Sequence, residues 1–365
     1  MPHLDYLNQA FQLANQGNAK QIRPNPFVGA VVVDENGVVI GEGFHQQYGG
    51  AHAEVFAINA ALQKSGDLSK TTLYVTLEPC SHFGKTPPCT NLILQHKIPR
   101  IVIGSRDPNP RVSGIDILKQ NGVEVIEIFL PAIEKMNEVF FTNQIKKRPF
   151  IQLKMATTIN GKIADRLGNS QWISNTESRK YVHQELRDNA DAILTTAKNI
   201  IQDKASLNIR TDETIKELSV VAIDRDLDLL KPEHQGLPIF YERTNSRIYL
   251  LSNKATNNLP KNVEIVNVDF DENNSLILEG LGEKLLLLNI CKVLIEAGSK
   301  LSSYLIENKW ADELVVFLAP KLIMDKQAIN VVETDKEQLL IGATNLQLEE
   351  TKLLGDDIML RYLFL

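Results

Sequence analysis

The stretch Tyr74-Val75-Thr76-Leu77-Glu78-Pro79-Cys80-Ser81-His82-Phe83-Gly84-Lys85-Thr86-Pro87-Pro88-Cys89 decides how the first part of the chain is read. It opens as a β-strand from Thr72 to Thr76, turns at a proline, and sets Cys80 and Cys89 nine positions apart. Upstream, His52-Ala53-Glu54 opens a segment of helical composition. One imidazole and two thiolates are the borderline-soft donors that suit Zn²⁺. Three protein ligands, His52, Cys80 and Cys89, leave a fourth coordination position, as in a catalytic rather than a closed structural centre. Zinc lowers the pKa of a water in that position toward ~7. Glu54, two residues from a ligand, is spaced to face that water without ligating, and so to pass its proton to a leaving amine. The order H-x-E…P-C-x-x-C marks zinc nucleobase deaminases, and here the second cysteine comes six residues later. Helix N-termini near Cys80 and Cys89 would favour both thiolates. Two plainer readings stand beside this one: a structural zinc with His82 as fourth ligand, and two unrelated buried cysteines. The glutamate and the strand–Pro-Cys context favour catalysis.

Outward from that motif the chain alternates strands and helices, the pattern of an α/β layer. Residues 4–16 have helical spacing. Phe27 to Val33 and Val38 to Gly43 read as a hairpin through Asp34-Glu35-Asn36-Gly37, because Asn-Gly tolerates positive φ. Further helices are expected over 52–64, 90–96, near 115–120 and over 131–145, with strands at 101–103 and 123–126. Lys146-Lys147-Arg148-Pro149 marks a boundary near 145–149, giving units 1–146 and 147–365. The second unit reads as strands at 151–155, 192–195, 220–223, 248–251, 263–266, 292–296 and 314–317. Its helices fall at 176–187, 281–288 and 299–308. A long polar loop or small excursion is expected from Asp224 to Ser246, and an acidic loop over 268–277. The apolar strand ending the chain, Asp357 to Leu365, is suited to pairing at an interface.

The 365 residues are 43 % hydrophobic and 23 % charged, ordinary for globular chains and unlike a disordered or fibrous one. No apolar run approaches the ~18 residues of a membrane span, and the N-terminal segment lacks the pattern of a secretory signal. Three cysteines, the third being Cys291, fit a reducing, cytoplasmic compartment better than a disulfide framework. A net charge of −6 argues against a nucleic-acid surface. Residues 1–147 hold 13 basic and 13 acidic side chains, so the acidic excess lies wholly in the second part.

These features together resemble the bifunctional riboflavin-biosynthesis deaminase–reductase family along nearly the whole chain. The resemblance rests on Pro24-Asn25-Pro26-Phe27-Val28-Gly29, His52-Ala53-Glu54, the long cysteine loop, and Asp107-Pro108-Asn109-Pro110-Arg111-Val112-Ser113-Gly114. Past residue 149 it rests on Lys154 to Ala164, Ser170-Gln171-Trp172-Ile173-Ser174, Leu186-Arg187, Ser206 to Arg210, Glu296-Ala297-Gly298 and Asp312-Glu313-Leu314. It implies an N-terminal cytidine-deaminase-like three-layer α/β/α domain followed by a dihydrofolate-reductase-like α/β domain. It also implies zinc-dependent deamination of a diaminopyrimidinone ribosylamino 5′-phosphate, then NADPH reduction of the ribosyl group to ribityl, by a homodimer or homotetramer. Asn25 would meet the pyrimidine edge, and Lys85 and Asn109 are candidates for the phosphate, with solvated-loop roles as the plainer alternative. His45 and His82 are weaker candidates. In the second domain Ser170, Arg187, Leu207, Arg210 and Glu296 would line the substrate site, the arginines answering the phosphate. Ala156, Trp172, Asn199, Asp203 and Gly298 would face NADPH.

The chain departs from the family where a glycine-rich phosphate turn is usual, showing Thr196-Ala197-Lys198-Asn199, Asp203-Lys204-Ala205 and Glu296-Ala297-Gly298. Glycine lets a backbone approach a pyrophosphate closely, so these changes weaken the expectation of tight NADPH binding. Alternatives therefore remain: a deaminase whose second domain serves only oligomerisation or positioning, a non-enzymatic zinc-stabilised binding protein, and a polynucleotide deaminase.

Overall fold

The computed structural model describes residues 2–211, 214–243, 245–334 and 337–365. The chain forms two compact units, Met1–Arg148 and Pro149–Leu365. In the first, the elements run α1 (Pro2–Ala14), α2 (Ala19–Ile22), β1 (Gly29–Val33), β2 (Val39–Phe44), α3 (Ala53–Ser65) and β3 (Thr72–Val75). There follow α4 (Cys89–Gln95), β4 (Arg100–Ile103), α5 (Gly114–Gln120), β5 (Glu124–Glu127), α6 (Pro131–Met136) and α7 (Glu138–Lys146). Strand order among the described residues is β2-β1-β3-β4-β5. β1 is antiparallel to β2 and β3, and β3, β4 and β5 are parallel.

Period-2 alternation sends successive strand side chains to opposite faces, and both faces are covered. Val32, Leu73, Val75 and Ile101 meet Ala57 and Ile58 of α3, Ile93 of α4 and Leu118 of α5. Val31, Tyr74 and Val102 meet Ala10 of α1. The result is the expected three-layer α/β/α arrangement. Gly41 fixes α3 on β2: a Cβ there would come within 2.1 Å of the Ala57 carbonyl. Gly114 does the same for the cysteine loop, since a Cβ would stand 2.0 Å from the Pro79 carbonyl. The helix expected over 131–145 is two helices. Asn137, buried at the break, accepts the Phe27 N–H at 2.8 Å and donates to the Phe27 carbonyl at 3.0 Å.

The second unit runs β6 (Phe150–Thr158), β7 (Lys162–Ala164), α8 (Thr176–Tyr181), a π-helix Val182–Arg187, β8 (Ala192–Thr196), α9 (Ala197–Asp203), β9 (Ile209–Arg210), β10 (Ile215–Lys216) and β11 (Ser219–Ile223). Then come α10 (Pro238–Tyr241), β12 (Ile248–Ser252), β13 (Val263–Asn267), α11 (Leu281–Leu287), β14 (Lys292–Ile295) and α12 (Ser299–Glu307). The last elements are β15 (Glu313–Ala319), β16 (Ile329–Asn330), β17 (Leu346–Leu354) and β18 (Asp357–Phe364). The main sheet, among the described residues, has the order β13-β12-β11-β8-β14-β6-β15-β18-β17, parallel from β13 through β15. The chain steps from β6 to β8 and on to β13, then returns to insert β14 between β8 and β6. Strand order reverses there, and in such sheets ligands settle beyond the carboxyl ends of the strands at the reversal.

Ile193, Val220, Leu250 and Phe317 point to one core, with Leu186 and Ile200. Leu153, Leu194, Leu251 and Ile295 point to the other, with Leu285 and Leu305. Four readings are revised or narrowed. The helix 176–187 changes to π-helical spacing at Val182. Of the two readings for residues 224–246 the excursion forms, not an open loop: two short 3₁₀ turns and α10 bury Leu229, Leu237 and Ile239, with Thr244 outside the described residues. The Thr196-Ala197-Lys198-Asn199 turn enters α9 directly, capped by Thr196 on the Asn199 N–H. Finally, the terminal strand pairs within its own sheet, between β15 and β17, because the preceding exposed segment folds back as the edge strand β17.

Candidate active sites

His52 sits at the N-cap of α3 with no capping bond from its side chain, so the imidazole is available to a ligand. Its Nδ1 lies 3.5 Å from Cys80 Sγ and 3.3 Å from Cys89 Sγ. Two donors of one tetrahedral zinc, at ~2.0 Å for nitrogen and ~2.3 Å for sulfur, stand about 3.6 Å apart, so the spacing fits that ion. The three ligand atoms lie within 4.8 Å of one another, and they form the one such cluster among the described residues. His82 is not part of it, which leaves the fourth position without a protein ligand. Thr86 Oγ1 meets the other imidazole nitrogen at 3.3 Å and so orients the ring.

Cys89 opens α4, but Cys80 lies in the loop after β3, not at a helix N-terminus as expected. Its sulfur receives the Cys89 backbone N–H at 3.3 Å instead. Hydrogen bonding from the Cys89 thiol, then from His52, holds the Cys80 thiol down at about 4. Glu54 is 3 % exposed in the first turn of α3. Burial, then the nearby Cys80 sulfur, pushes its carboxyl above the usual range.

These groups open onto a cavity of about 410 Å³ whose wall includes Asn25, His45, Lys85, Asp107 and Asn109. The structure therefore gathers every candidate named for the first unit. His45 donates from Nδ1 to the Ala51 carbonyl and accepts from Asn25 Nδ2, both at 3.0 Å, which orients the Asn25 amide. Burial keeps the His45 pKa low and the ring a neutral acceptor. Lys85 Nζ stands 3.7 Å from the centre of the Tyr48 ring. Asn109 is held by its loop, taking the Arg111 N–H and giving its own to Asp107. Sequence reasoning missed Asp107, whose carboxyl burial raises to about 6.

A second cavity, about 390 Å³, lies in the second unit at the carboxyl ends of β8 and β14. Trp172, Arg187, Asn199, Asp203, Leu207, Arg210 and Glu296 all line it, whereas Ala156, Ser170 and Gly298 are not in its lining. Arg187 gives Glu296 a two-pronged ion pair, 2.6 and 2.8 Å, and donates to the Asn208 carbonyl at 2.6 Å. Burial alone would raise the Glu296 pKa; the Arg187 charge and hydrogen bonds, with Lys154, overcome it and hold Glu296 at about 2. Arg210 bonds Ser206 Oγ at 2.8 Å through Nη2, and its backbone N–H goes to His183 Nδ1 at 3.0 Å.

Lys154 and His183 were not anticipated here. Lys154 is half-buried on β6 at the cavity wall, and its desolvation there lowers its pKa, with Glu296 acting against the shift. Its signal was in plain view as a lysine inside the apolar strand Phe150-Ile151-Gln152-Leu153-Lys154-Met155. His183, half-buried near Arg187 and Arg210, is held near pKa 4 by desolvation first and by those charges next. The cavity brings together Lys154, Arg179, Arg187, Lys204 and Arg210 against Asp203 and Glu296. An acidic unit thus presents a locally basic cleft, which removes the apparent conflict with a phosphorylated ligand.

The first unit is built as a zinc-dependent deaminase, and the second as an α/β domain with a basic ligand cleft at the sheet's reversal. Residues 2–105 match the cytidine and deoxycytidylate deaminase zinc-binding region, and residues 149–360 the RibD C-terminal domain. The chain is 36 % identical to the riboflavin biosynthesis protein RibD of Actinobacillus pleuropneumoniae, over 99 % of this chain and 95 % of that one. It is 30 % identical to the RibD of Escherichia coli K12, over 97 % of each. Among solved structures, a Thermotoga maritima diaminohydroxyphosphoribosylaminopyrimidine deaminase/5-amino-6-(5-phosphoribosylamino)uracil reductase superimposes with a TM-score of 0.81 at 34 % identity, covering 100 % of this chain and 99 % of that one. The chain belongs to the RibD family, the bifunctional deaminase–reductases of riboflavin biosynthesis. That membership favours a working reductase over a degenerate positioning domain.

Proposed function

We propose that the chain acts twice on one pyrimidine ribosylamino 5′-phosphate. The first unit deaminates the diaminopyrimidinone hydrolytically, and the second reduces the ribosyl group to ribityl with NADPH. The observation that carries this reading is the His52–Cys80–Cys89 triad with Glu54 buried beside it, in a chain that aligns end to end with bifunctional relatives.

Zinc held by the triad supplies the Lewis acidity that makes water nucleophilic at neutral pH. Glu54 takes the water's proton and delivers it to the departing amine, so the nitrogen leaves as ammonia. Asn25, oriented by His45, pairs with the pyrimidine edge, while Lys85 and Asn109 meet the phosphate.

NADPH, when bound in the second unit, supplies hydride. Trp172, Asn199 and Asp203 line the cleft that would hold it, and Ala156 and Gly298, outside that lining, are kept as contacts by family resemblance alone. Gly298 precedes α12 with open space where a Cβ would stand, which suits a close ligand. Reduction at the sugar C1′ requires the ring oxygen to leave as a hydroxyl, and Lys154 holds the proton for it. Glu296 opposes the loss of the Lys154 proton, and Arg187 holds Glu296, which leaves Arg210 for the phosphate, with Leu207 and Ser170 kept in the same substrate set.

We also read the protein as a cytoplasmic homo-oligomer. Free thiols at Cys80, Cys89 and Cys291 support a reducing compartment, and β17 offers an open sheet edge with Leu348 and Leu353 exposed. No described helix is long and apolar enough to cross a membrane.

A coupled assay with the authentic pyrimidine phosphate tests the function. Ammonia release followed by stoichiometric NADPH oxidation is expected; ammonia without NADPH oxidation would return the second unit to a positioning role.

A further inference from the structure

The Ser206–Arg210 segment at the second cavity has a conformation that needs support. Leu207 sits at φ +54, a left-handed region that non-glycine residues enter rarely. Directly behind this segment lies Arg243, only 2 % exposed. Its Nε donates to the Ser206 carbonyl at 2.9 Å and its Nη2 to the Leu207 carbonyl at 2.7 Å. Its Nη1 donates to Ser246 Oγ at 2.7 Å and to the Leu218 carbonyl. These described hydrogen bonds all end on neutral oxygens. Burial lowers the guanidinium pKa to about 10, with the charge of Glu217 acting against the shift. Arginine is seldom fully buried unless paired, and a cation with neutral acceptors is a costly way to hold a loop.

What the arginine achieves is visible one step forward. Ser206, whose carbonyl it pins, uses its hydroxyl to accept from Arg210 Nη2, while His183 holds the Arg210 backbone N–H. On the other side Arg187 takes the Asn208 carbonyl and is neutralised by Glu296. Among the described residues Arg210, like Arg179 stacked on Trp172, has no carboxylate partner, and Arg210 is the one that Ser206 holds, with Arg243 behind the Ser206 and Leu207 carbonyls.

We propose that Arg243 is the positioning residue of an anion seat formed by Ser206–Arg210, aiming Arg210 at the substrate phosphate and lending that seat positive potential. This rests on the reductase reading above. The test uses the full chain carrying Arg243→Met or Arg243→Lys, with the deaminated intermediate in phosphorylated and dephosphorylated forms. Arg243→Met should raise KM for the phosphorylated form at least tenfold, with kcat within about threefold and KM for NADPH unchanged. The dephosphorylated form should show no such change, and Arg243→Lys should recover part of the loss. An unchanged ratio of the two KM values would overturn the proposal. Should Arg243→Met fail to fold, Ser206→Ala, which removes only the hydroxyl supporting Arg210, must shift the same ratio in the same direction or the seat is rejected. Calorimetric binding separates the two readings. A wild type that binds the phosphorylated form at least tenfold tighter than Arg243→Met, yet oxidises no NADPH, breaks the reductase reading and keeps the seat.

Discussion

The two cavities are built on different plans. In the first unit His52, Glu54, Cys80, Lys85 and Cys89 fall between positions 52 and 89, and two turns carry four of them to the cavity wall with Cys89 against His52. In the second, Lys154 comes from β6, Arg187 from the π-helix, Arg210 from β9 and Glu296 from the end of β14. The first site is a ligand set whose chemistry restricts which residues are admissible, so a short spacing identifies it. The second is an electrostatic balance, a half-buried lysine, a half-buried ion pair and an exposed arginine, and only their distances give it meaning. A local motif tolerates a drifting scaffold; a distributed one fails when any supporting strand shifts.

The largest effect should come from Glu54→Gln, which keeps the side-chain shape and removes the proton carrier. Ammonia release should fall by about 10²–10⁴-fold while zinc content and NADPH oxidation of the deaminated intermediate stay at wild-type levels. Ammonia at more than a tenth of the normal rate would mean that another group moves the proton. Lys154→Met is the converse. Steady-state reduction should slow by about 10²-fold or more with ammonia release untouched, and an unslowed hydride transfer would show that solvent protonates the sugar oxygen.

The smallest expected effect is in acid stability and belongs to the second unit alone. Glu296 is held at about 2 in the folded chain, against about 4.3 when unfolded. A carboxyl with a depressed folded pKa contributes stability above its unfolded value and loses it as pH falls toward the folded one. The contribution is at most on the order of 3 kcal/mol, lost between about pH 4.3 and 2. Trp172 and Trp310 are the two tryptophans and both lie in this unit, so urea unfolding followed by their fluorescence reads it selectively. The decline below pH 4.3 should flatten in Glu296→Gln; an identical slope in both chains would show that the Arg187 pair does not govern it.

Much of the fold was legible because strand and helix periods are local. The β1–β2 hairpin followed from Asn36-Gly37, and the alternation of apolar runs predicted an α/β layer in each half. The interruptions were not legible, because their causes are distant in sequence. Asn137 breaks a helix to satisfy Phe27, 110 residues away. The exposed segment 346–354, for which the sequence carries no expectation, becomes a strand on pairing with β18, and nothing in residues 176–187 announces that helical spacing widens at Val182. The acidic composition of the second half also pointed away from a phosphate ligand, since an average over the chain conceals where charges meet.

The sequence by itself determined the candidate metal-binding triad, the glutamate beside it and the division into two α/β parts. Donor chemistry and short-range periodicity do not depend on how the remainder packs. The tertiary structure alone decided which arginine is neutralised, that a strand lysine faces a ligand cleft, and that Arg243 lies beneath Ser206 and Leu207. Each of those is a distance between residues far apart in the chain, and electrostatic energy depends on distance and burial rather than on order along the backbone.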